Sequence, residues 1–578
     1  MSKSKIYILK KTLETPFELQ NQLNSENVSF FMDNTNKSQT WDSQTIFKRK
    51  LQKQKSGIFN FQNQKLPQAS LIGLSYNLEN FQQLDNLQYK IVVTYEETDS
   101  FQQNQLDISY INEVEKIKDV LSLYYTKNMV QKLGLYDIIN KQEKVYHCLN
   151  AAISNLYGGM TYKYGNLKFT QSYEEQKQSP KAIFSFTPSR QRFSWSFLWD
   201  DGFHNAVICR ISPDICIETI SSWLNTMNDE GWIPREQPRG TEANGLCNCP
   251  NFEKKDNRDG NPPSLILGIS HLLNLNDIVI NEKLDTFLEQ NYKKLQLWFQ
   301  WYLNSQQNQG LLNKQGDEID MIFKWWDRDG QISSMNSGLD DFPRNIQKNQ
   351  RGPAYTPQGH IDCQSWMYFF SDIMTQLSNR LRQEQDSKYY ENIKDKIKLR
   401  TDQFFKNDDG VYMDFVINGQ KPGQNNIDDR IFTGHEGYPS LLPLSFGMIS
   451  KQDLDSTLNI VRNKNKLWTE FGLRSLSKSS PYFKKGNNYW TNPIWVQMNY
   501  IVLRGMKLYY NDHSEKSQEI YQELRENLIQ NVCLNNFEKK GYFYENYNKK
   551  GEKGEGSDAH PFTGWTSTIS LIISEQYW

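Results

Sequence analysis

Carboxylates carried on loops, rather than metal ligands or nucleophiles, are the side chains of this sequence best placed to do chemistry. Asp340 and Asp341 stand side by side in Ser-Gly-Leu-Asp-Asp-Phe-Pro-Arg, which runs from residue 337 to 344. Gly338 and Pro343 both disfavour a continuous helix or strand, so we predict a loop here.

Two bulky apolar residues flank this pair of carboxylates and could hold their loop in place. Leu339 and Phe342 can anchor the loop while an acidic group projects from it. An acid held in this way suits proton transfer, because a general acid must lie within hydrogen-bond reach of its target. An isolated Asp-Asp pair is more often a solvated acidic turn, since charged side chains are mostly exposed. Other motifs must decide between the two interpretations.

Glu545 is the second candidate, in the stretch Tyr-Phe-Tyr-Glu-Asn-Tyr from residue 542 to 547. A carboxyl group among aromatic rings has a raised pKa through desolvation, unless an ion pair offsets the burial. Core or turn packing is the structural alternative, and the local sequence leaves both open.

Several loops combine Trp with polar groups, as a sugar-binding cleft requires. Aromatic rings pack on the C–H faces of sugars, and neighbouring polar groups bond to the hydroxyls. Arg235 and Glu236 together present the donors and acceptors that polyhydroxyl recognition needs. The stretches are Phe197–His204, Gly231–Gln237, Phe323–Arg328, Tyr489–Trp495 and Pro561–Ser567.

Each of these stretches also has a purely structural interpretation. Asp200 or Asp201 could cap the helix that comes after them, and the Arg-Glu pair could be a surface ion pair. The tryptophans could be core residues. Trp325 and Trp326 are hard to bury together in a polar segment, so we predict that at least one of them lines a cleft.

Composition narrows the functional class. The chain has 578 residues and a net charge of −1, which gives no indication of nucleic-acid binding or of a basic membrane surface. Its 15 Trp, 31 Tyr and 31 Phe favour a carbohydrate cleft or a large core. No Walker A, GxSxG or HExxH motif occurs, and Cys247-Asn-Cys249 is too tight for a zinc knuckle. Seven cysteines allow one or two disulfides.

Neither a signal peptide nor a membrane anchor is visible in the sequence. The amino-terminal stretch has basic residues but an apolar run of four residues, which is too short for a signal-peptide core. No run of about 18 apolar residues occurs anywhere. We therefore expect no membrane span in this chain.

The hydrophobic pattern predicts a short β-rich region and then a series of helices. Within residues 1–110 we predict strands at Lys5–Leu9, Val28–Met32 and Tyr89–Tyr95, too few for a complete β-sandwich. Residues 111–578 form the second predicted domain. Helical spacing appears at about 107–133, 141–157, 204–228, 264–274, 280–304, 362–384, 386–406, 452–463, 494–511, 514–532 and 564–576.

The predicted helices are of two kinds. Ser387–Phe405 is amphipathic and polar, whereas Ile494–Tyr510 is largely apolar. Apolar helices need burial on most sides, and amphipathic ones suit an outer ring. The alternation predicts a mainly α fold, a barrel of helix pairs with inner and outer layers and long functional loops at one mouth.

Five motifs in order resemble the processing α-glucosidase I enzymes (mannosyl-oligosaccharide glucosidases) of glycoside hydrolase family 63. The resemblance spans roughly residues 110–578, and five motifs in one order are highly specific. The motifs are Phe197–His204, Gly231–Gln237, Ser337–Arg344, Leu467–Lys478 and Pro561–Ser567.

The resemblance implies an (α/α)6 barrel, preceded here by a partial or truncated β-rich region, and an inverting hydrolase that needs no cofactor. Family members remove the terminal α-1,2-linked glucose from the triglucosylated N-glycan precursor on glycoproteins, in the lumen of the endoplasmic reticulum. It implies that Asp340 is the general acid and Glu545 the general base. The substrate-binding residues implied by analogy are Trp199, Asp200, Phe203, Arg235, Glu236, Trp325, Asp341, Trp490, Trp495 and Trp565.

The chain departs from the family pattern at a few positions. Asp201 stands where the family usually has Glu, and Thr491-Asn492 stands where it usually has Arg-Gly. One alternative is a related (α/α)6 α-glucosidase acting on small α-glucosides, such as a trehalase-like substrate. A second is a catalytically inactive glycan-binding protein, which the presence of both carboxylates argues against.

Overall fold

A computed structural model of the chain describes three short strands near the amino terminus and most of the chain from residue 108 onward. The described residues are 7–11, 28–33, 71–76 and 108–578, the last without 168–179, 241–258, 276, 327–334, 345, 348–353, 356, 418–425 and 552. Two compact units result, residues 1–125 with 240–249, and residues 126–239 with 250–578.

The three amino-terminal strands form one antiparallel sheet. Strand β3 (Leu71–Tyr76) lies in the middle, between β1 (Tyr7–Lys11) and β2 (Val28–Asp33). The predicted second strand is confirmed, and the first begins two residues later than predicted. The central strand was missed, and the predicted strand Tyr89–Tyr95 lies outside the described residues, as does the Cys247–Cys249 pair.

The second unit is mainly helical, as predicted. Its short strands form two- and three-stranded antiparallel sheets beside the helices. These strands are β4 (Met160–Gly165), β5 (Lys181–Phe186), β6 (Ser196–Phe197), β7 (Glu236–Gln237), β8 (Ile346–Gln347), β9 (Ala354–Tyr355), β10 (Pro357–Gly359), β11 (Phe415–Ile417), β12 (Arg430–Phe432), β13 (Trp468–Thr469), β14 (Gly472–Leu473), β15 (Asn546–Tyr547) and β16 (Gly556–Ser557).

The helices match most of the predicted stretches. They are α1 (Ile108–Leu133), α2 (Tyr136–Lys141), α3 (Glu143–Gly158), α4 (Leu198–Ile211), α5 (Pro213–Asn225), α6 (Leu265–Leu273), α7 (Ile278–Gln306), α8 (Ile361–Arg380), α9 (Glu384–Phe404), α10 (Tyr438–Ser445), α11 (Leu454–Arg462), α12 (Val496–Tyr509), α13 (Glu515–Ile529), α14 (Glu538–Lys540) and α15 (Ile569–Ser574). A π-helix, Gln530–Phe537, continues α13, and a 3₁₀ helix, Trp565–Thr568, precedes α15.

Two predictions about helices were wrong in detail. The stretch 204–228 is two helices with a break at Ser212. Pro213 opens α5, at a position where its missing N–H costs nothing. Helix α10 was missed because Pro439 and Pro443 lie within it. Proline at an interior position removes a backbone donor, so the sequence there resembles a loop.

Buried and half-exposed helices alternate along the chain. Helices α4, α6, α8, α10 and α12 are buried over most of their length, whereas α9 buries Ser387, Tyr390, Ile393, Ile397 and Thr401 on one face. This confirms that Ser387–Phe405 is amphipathic and that Ile494–Tyr510 is largely buried. Helix α8 packs against both α9 and α10, and α12 packs against α10 and α13.

A close contact between α4 and α6 depends on glycine. A Cβ atom on Gly202 would lie 2.1 Å from the Oγ of Ser264, which leaves no room for any side chain. The Ser264 hydroxyl donates to the carbonyl oxygens of Leu198 at 3.1 Å and Trp199 at 2.9 Å. The first turn of α4 is therefore fixed against the start of α6.

Two disulfides bridge helical segments. Cys148 of α3 pairs with Cys533 of the π-helix, and Cys209 of α4 pairs with Cys216 of α5. Their Cα atoms lie 5.5 Å and 4.8 Å apart, within the range that disulfides occupy. Across the described residues, no helix combines the length and apolar character that crossing a membrane requires.

A buried ion cluster anchors the loop that carries Asp340. The guanidinium of Arg344 donates to Asp362 at 3.1 and 2.5 Å and to Asp414 at 2.8 Å. Asp362 lies in the first turn of α8, and Asp414 directly precedes β11. Asp414 also accepts the backbone N–H of Ile361 at 2.9 Å. The carboxyl end of the loop is thereby joined to two elements of the helical unit.

Removing the cation should destabilise the unit strongly. In Arg344→Met, two buried carboxylates lose their partner, so we expect a loss of about 3–5 kcal/mol in the free energy of unfolding. Urea unfolding monitored by tryptophan fluorescence measures it. The control is Arg380→Met, which breaks the more exposed pair with Asp285 and should cost less than about 1 kcal/mol. Equal losses in the two variants would contradict the prediction.

Candidate active site

The loop that carries Asp340 rests on the indole ring of Trp199. Gly338 has a φ of +77°, and a Cβ there would lie 3.1 Å from that ring. Glycine therefore provides both the left-handed backbone and the close approach. Leu339 and Phe342 are buried, at 2% and 3% exposure, so they anchor the loop as expected. Asp340 between them remains partly exposed.

Asp341 holds a second loop of the site. Its two carboxylate oxygens accept the backbone N–H groups of Tyr489 at 3.1 Å and Trp490 at 2.5 Å. The segment before α12 is thus tied to the loop of Asp340. Thr491 and Asn492, which depart from the family pattern, add bonds to the carbonyls of Lys485 and Asn548.

Glu545 lies just before β15 and is 3% exposed. Its backbone N–H donates to the carbonyl of Ala559 at 3.0 Å, and the Ala559 N–H donates to Oε2 at 2.9 Å. The hydroxyl of Tyr489 donates to Oε1. The Glu545 carboxylate therefore has a donor on each oxygen.

Tyr489 interacts with both candidate catalytic carboxylates. Besides bonding to Glu545, its phenol feels the charge of Asp340, and burial together with these charges raises its pKa well above the usual range. Glu545 thus bonds to a tyrosine on which the charge of Asp340, 205 positions away in the numbering, also acts.

Burial sets the proton affinities of the carboxylates. It raises the pKa of Asp340 to about 6, with Arg235 opposing this shift and Glu236 and Asp341 adding to it. Burial likewise raises the pKa of Glu545, although Tyr489 and the Ala559 N–H oppose the change. These directions suit groups that exchange protons near neutral pH.

Arg235 and Glu236 form an ion pair, and the charges of both act on Asp340. The guanidinium of Arg235 lies 2.9 Å from Glu236 Oε1 and donates to the carbonyl of Met335 at 2.9 Å. Trp195 donates its indole N–H to Glu236 Oε2 at 3.0 Å. The pair is nearly buried, with side-chain exposures of 16% and 9%, so it is not the surface ion pair of the structural interpretation.

Three predicted tryptophans form a continuous aromatic wall next to Glu545. The rings of Trp490 and Trp495 stack with centroids 3.9 Å apart, and Trp495 meets Trp565 edge-on at 5.4 Å. Trp565 donates its indole N–H to the Glu545 carbonyl at 3.0 Å. The wall therefore also fixes the backbone of the glutamate.

The first turn of α4 contributes a separate group of side chains. Trp199 packs edge-on against Phe203 at 4.9 Å and Trp366 at 5.8 Å. Asp200 is 6% exposed, and burial raises its pKa well above the usual range, assisted by the charges of Asp201, Glu545 and Glu236. Asp200 therefore lies in the same acidic environment as the candidate catalytic pair.

The proposed capping role of Asp200 or Asp201 was wrong. Helix α4 begins at Leu198, so both aspartates lie inside its first turn, and no side chain caps it. The carboxylate of Asp201 is instead fully buried. It accepts bonds from the Phe186 N–H, the Trp223 indole N–H and the imidazole of His204.

Trp325 is fully buried, as Trp490 and Trp495 are. Its ring has no exposed surface, and its backbone N–H donates to Nδ1 of His360 at 2.9 Å. Trp326 is the partly exposed member of the pair, with the amine of Lys324 3.6 Å from its ring centroid. Burial lowers the pKa of that amine to about 7. Substrate contact by Trp325 stays a prediction.

Sequence reasoning missed three contributors to this arrangement. Tyr489 lies inside a motif that had been singled out for its tryptophans, Trp195 precedes the Phe197–His204 motif by two residues, and Arg344 ends the acid loop. All three act through contacts with residues far away in the chain. No local pattern shows these contacts, but two of the residues, Tyr489 and Arg344, lie inside quoted motifs, which was a usable signal.

The arrangement can support acid–base chemistry on a polyhydroxyl ligand. It offers partly desolvated carboxyl groups with different partners, indole rings, and the donors of Arg235. Two titratable groups in different environments are what an acid and a base need. Within the described residues, no group of three or more His, Cys, Asp or Glu is placed to hold a metal ion.

Crystal structures of a bacterial enzyme share the fold. Two are of a GH63 mannosylglycerate hydrolase from Thermus thermophilus, in complexes with glucose and with Tris. The TM-scores are 0.51 and 0.50 at 13% and 12% identity, over 74% of this chain and 99% of each bacterial chain. At this identity they support similarity of fold alone.

Curated proteins give a closer sequence match. Mannosyl-oligosaccharide glucosidase GCS1 and alpha-glucosidase 2 of Arabidopsis thaliana are 34% and 32% identical to the chain, each over 74% of it. The mannosyl-oligosaccharide glucosidase of Saccharomyces cerevisiae is 29% identical over 73%. The matches cover 54%, 59% and 56% of these proteins, so the chain spans little more than half of their length.

A family model matches most of the chain. It describes the glycosyl hydrolase family 63 C-terminal domain and covers residues 113–575, which include every candidate site residue. The chain therefore belongs to glycosyl hydrolase family 63.

Proposed function

We propose that the chain is an inverting exo-α-glucosidase that removes the terminal α-1,2-linked glucose from the triglucosylated N-glycan precursor. This would be the first step of N-glycan trimming. The observation that carries the proposal is that Tyr489 bonds both to Glu545 and to Asp341, the neighbour of Asp340, beside a wall of tryptophans. The names of the similar plant and yeast proteins support this substrate class.

Asp340 is the proposed general acid and Glu545 the proposed general base. With a pKa of about 6, Asp340 holds a proton in weakly acidic solution and can donate it to the leaving glycosidic oxygen. Glu545 would take a proton from water on the opposite face of the sugar. An inverting mechanism needs the two carboxyl groups about 6.5–9.5 Å apart, so that this water fits between them.

The remaining site residues would bind the glucose unit. Trp490, Trp495 and Trp565 would supply apolar faces, and Asp341 would orient the loop beneath them. Arg235, Glu236 and Asp200 would bond to hydroxyls. For the buried Asp200, such bonds would offset the cost of desolvation. Trp199 with its supporting Phe203, and the deeper Trp325, would complete the pocket. No metal or organic cofactor takes part in this scheme.

The proposed scaffold is an (α/α)6 barrel over residues 111–578, after a partial β-rich region at 1–110. The inner helices would be α4, α6, α8, α10, α12 and the 565–574 segment. Contacts run between successive members of this set and from the 3₁₀ helix of the last back to α4, which supports the proposal. Action on a glycoprotein precursor would make the lumen of the endoplasmic reticulum the site of action.

Glucose release should depend on both carboxylates. We expect Asp340→Asn and Glu545→Gln each to lower kcat by at least about 10²–10⁴-fold, because each removes a proton-transfer group. Released glucose, measured with a coupled assay, reports the loss. Asp409→Asn and Glu555→Gln are matched controls, since both side chains are exposed, and should keep full activity. Full activity in either active-site variant would refute the role assigned to it.

The substrate class can be separated from its alternatives by direct comparison. We expect hydrolysis of the triglucosylated glycan and of the α-1,2-linked disaccharide kojibiose, and none of trehalose. NMR of the first product formed should show β-glucose, because inversion of an α-linkage gives that anomer. Preferred cleavage of trehalose would overturn the N-glycan assignment, and an initial α-anomer would overturn the inverting mechanism.

The pH profile can be predicted from the two raised pKa values. The acid must be protonated, so kcat/KM should fall about tenfold per unit as pH rises past the Asp340 pKa of about 6. The base must be ionised, so activity should also fall in acid, at a pH above the usual range of a glutamate. Initial rates between pH 4 and 8 give the profile. A rate still rising at pH 8 would contradict it.

A further inference from the structure

We propose that Tyr489 is a positioning residue for the base, holding one oxygen of the Glu545 carboxylate in the orientation that activates water. This inference rests on the proposed function, since it assigns the base role to Glu545. Tyr489 does not touch the sugar in this scheme. It acts through the carboxylate to which its hydroxyl donates.

The backbone of Tyr489 is held on both sides. Its N–H donates to Asp341 Oδ2 at 3.1 Å, and its carbonyl accepts the indole N–H of Trp495 at 3.1 Å. Its ring packs edge-on against Trp495 at 4.8 Å and Trp490 at 6.1 Å. A phenol fixed at this many points can direct its hydroxyl without losing further conformational freedom.

The glutamate is held in a complementary way. Oε1 accepts the phenol of Tyr489, and Oε2 accepts the Ala559 N–H at 2.9 Å. The backbone on either side is fixed by Ala559 and by Trp565. Each oxygen keeps a second lone pair, so one bond to a water remains possible in a direction that these contacts define.

Several charged groups act on Glu545 from neighbouring elements. Asp558 raises its pKa, while Lys549 and the phenol of Tyr489 lower it against the effect of burial. Asp200 is a further acid within electrostatic range. A hydrogen bond to the charged form keeps the base ionised. Losing the phenol should therefore change proton affinity as well as orientation.

The bond also links the base to the acid loop. Asp341, which holds the Tyr489 N–H, comes directly after Asp340. A movement of the acid loop would therefore be transmitted to the base through one residue. Tyr489 thus fixes the position of Glu545 relative to the loop of Asp340, which a tyrosine that only packs in the core would not do.

The test is Tyr489→Phe in the full chain, which removes the hydroxyl and leaves the ring. We expect the acid limb of the kcat/KM profile to move up by about one pH unit and kcat to fall about tenfold, with KM little changed. The matched control is Tyr547→Phe, because the hydroxyl of Tyr547, two residues from Glu545, accepts the Tyr544 N–H at 3.4 Å. Its profile should match that of the unmodified protein.

Two further measurements keep the inference open to refutation. In a Glu545→Gln background, Tyr489→Phe should have no additional effect, because residues that act as a unit are not additive. If Tyr489→Phe fails to fold, 3-fluorotyrosine at position 489 replaces it. The more acidic phenol should move the acid limb to lower pH.

The outcomes separate this inference from the proposed function. An unchanged pH profile and kcat in Tyr489→Phe, with Asp340→Asn and Glu545→Gln inactive, would overturn the positioning role alone. So would additive losses in the double variant, or an acid limb unmoved by the fluorinated residue. Failure of the unmodified protein to hydrolyse any α-glucoside would instead overturn the proposed function.

Discussion

The bond between Asp341 and the backbone of Tyr489 and Trp490 is the interaction on which the geometry of the site depends. A carboxylate that accepts two amide hydrogens holds a loop more firmly than a surface contact can, because both bonds are charge-assisted. Through this one side chain, the loop of Asp340 reaches the aromatic wall and the glutamate beyond it. Asp341 thus has a defined structural task, distinct from that of its neighbour.

The site buries several carboxylates, which is unfavourable for their ionised forms, and nearby arginines partly offset this effect. Asp340, Asp200 and Glu545 all have raised pKa values, because burial disfavours their ionised forms. Arg235 partly offsets the first of these shifts. Farther along the loop, Arg344 forms ion pairs with two more carboxylates in the core. These charges all lie in the unit formed by residues 126–239 and 250–578.

Sequence patterns predicted the class of fold and the loops that form the site. They did not predict the hydrogen bonds that join these loops. The amphipathic face of α9 and the buried run of α12 could be inferred from hydrophobic spacing alone. Gly338 and the anchors beside Asp340 likewise pointed to a rigid loop. The bond between Tyr489 and Glu545 could not be predicted, because it depends on tertiary packing between segments 56 residues apart. The true start of α4 was missed because aspartates near a helix start resemble caps whether or not they cap.

The disulfide between Cys148 and Cys533 has a consequence for the integrity of the chain. It closes 385 positions of sequence into one covalent ring, and Asp340 lies inside that ring while Glu545 lies twelve residues beyond it. A single break of the backbone within the ring would leave both fragments attached. A break between residues 340 and 533 would separate Asp340 from Glu545 only if the disulfide were also reduced. Two covalent routes therefore join Asp340 to Cys533, whereas the backbone alone joins Cys533 to Glu545.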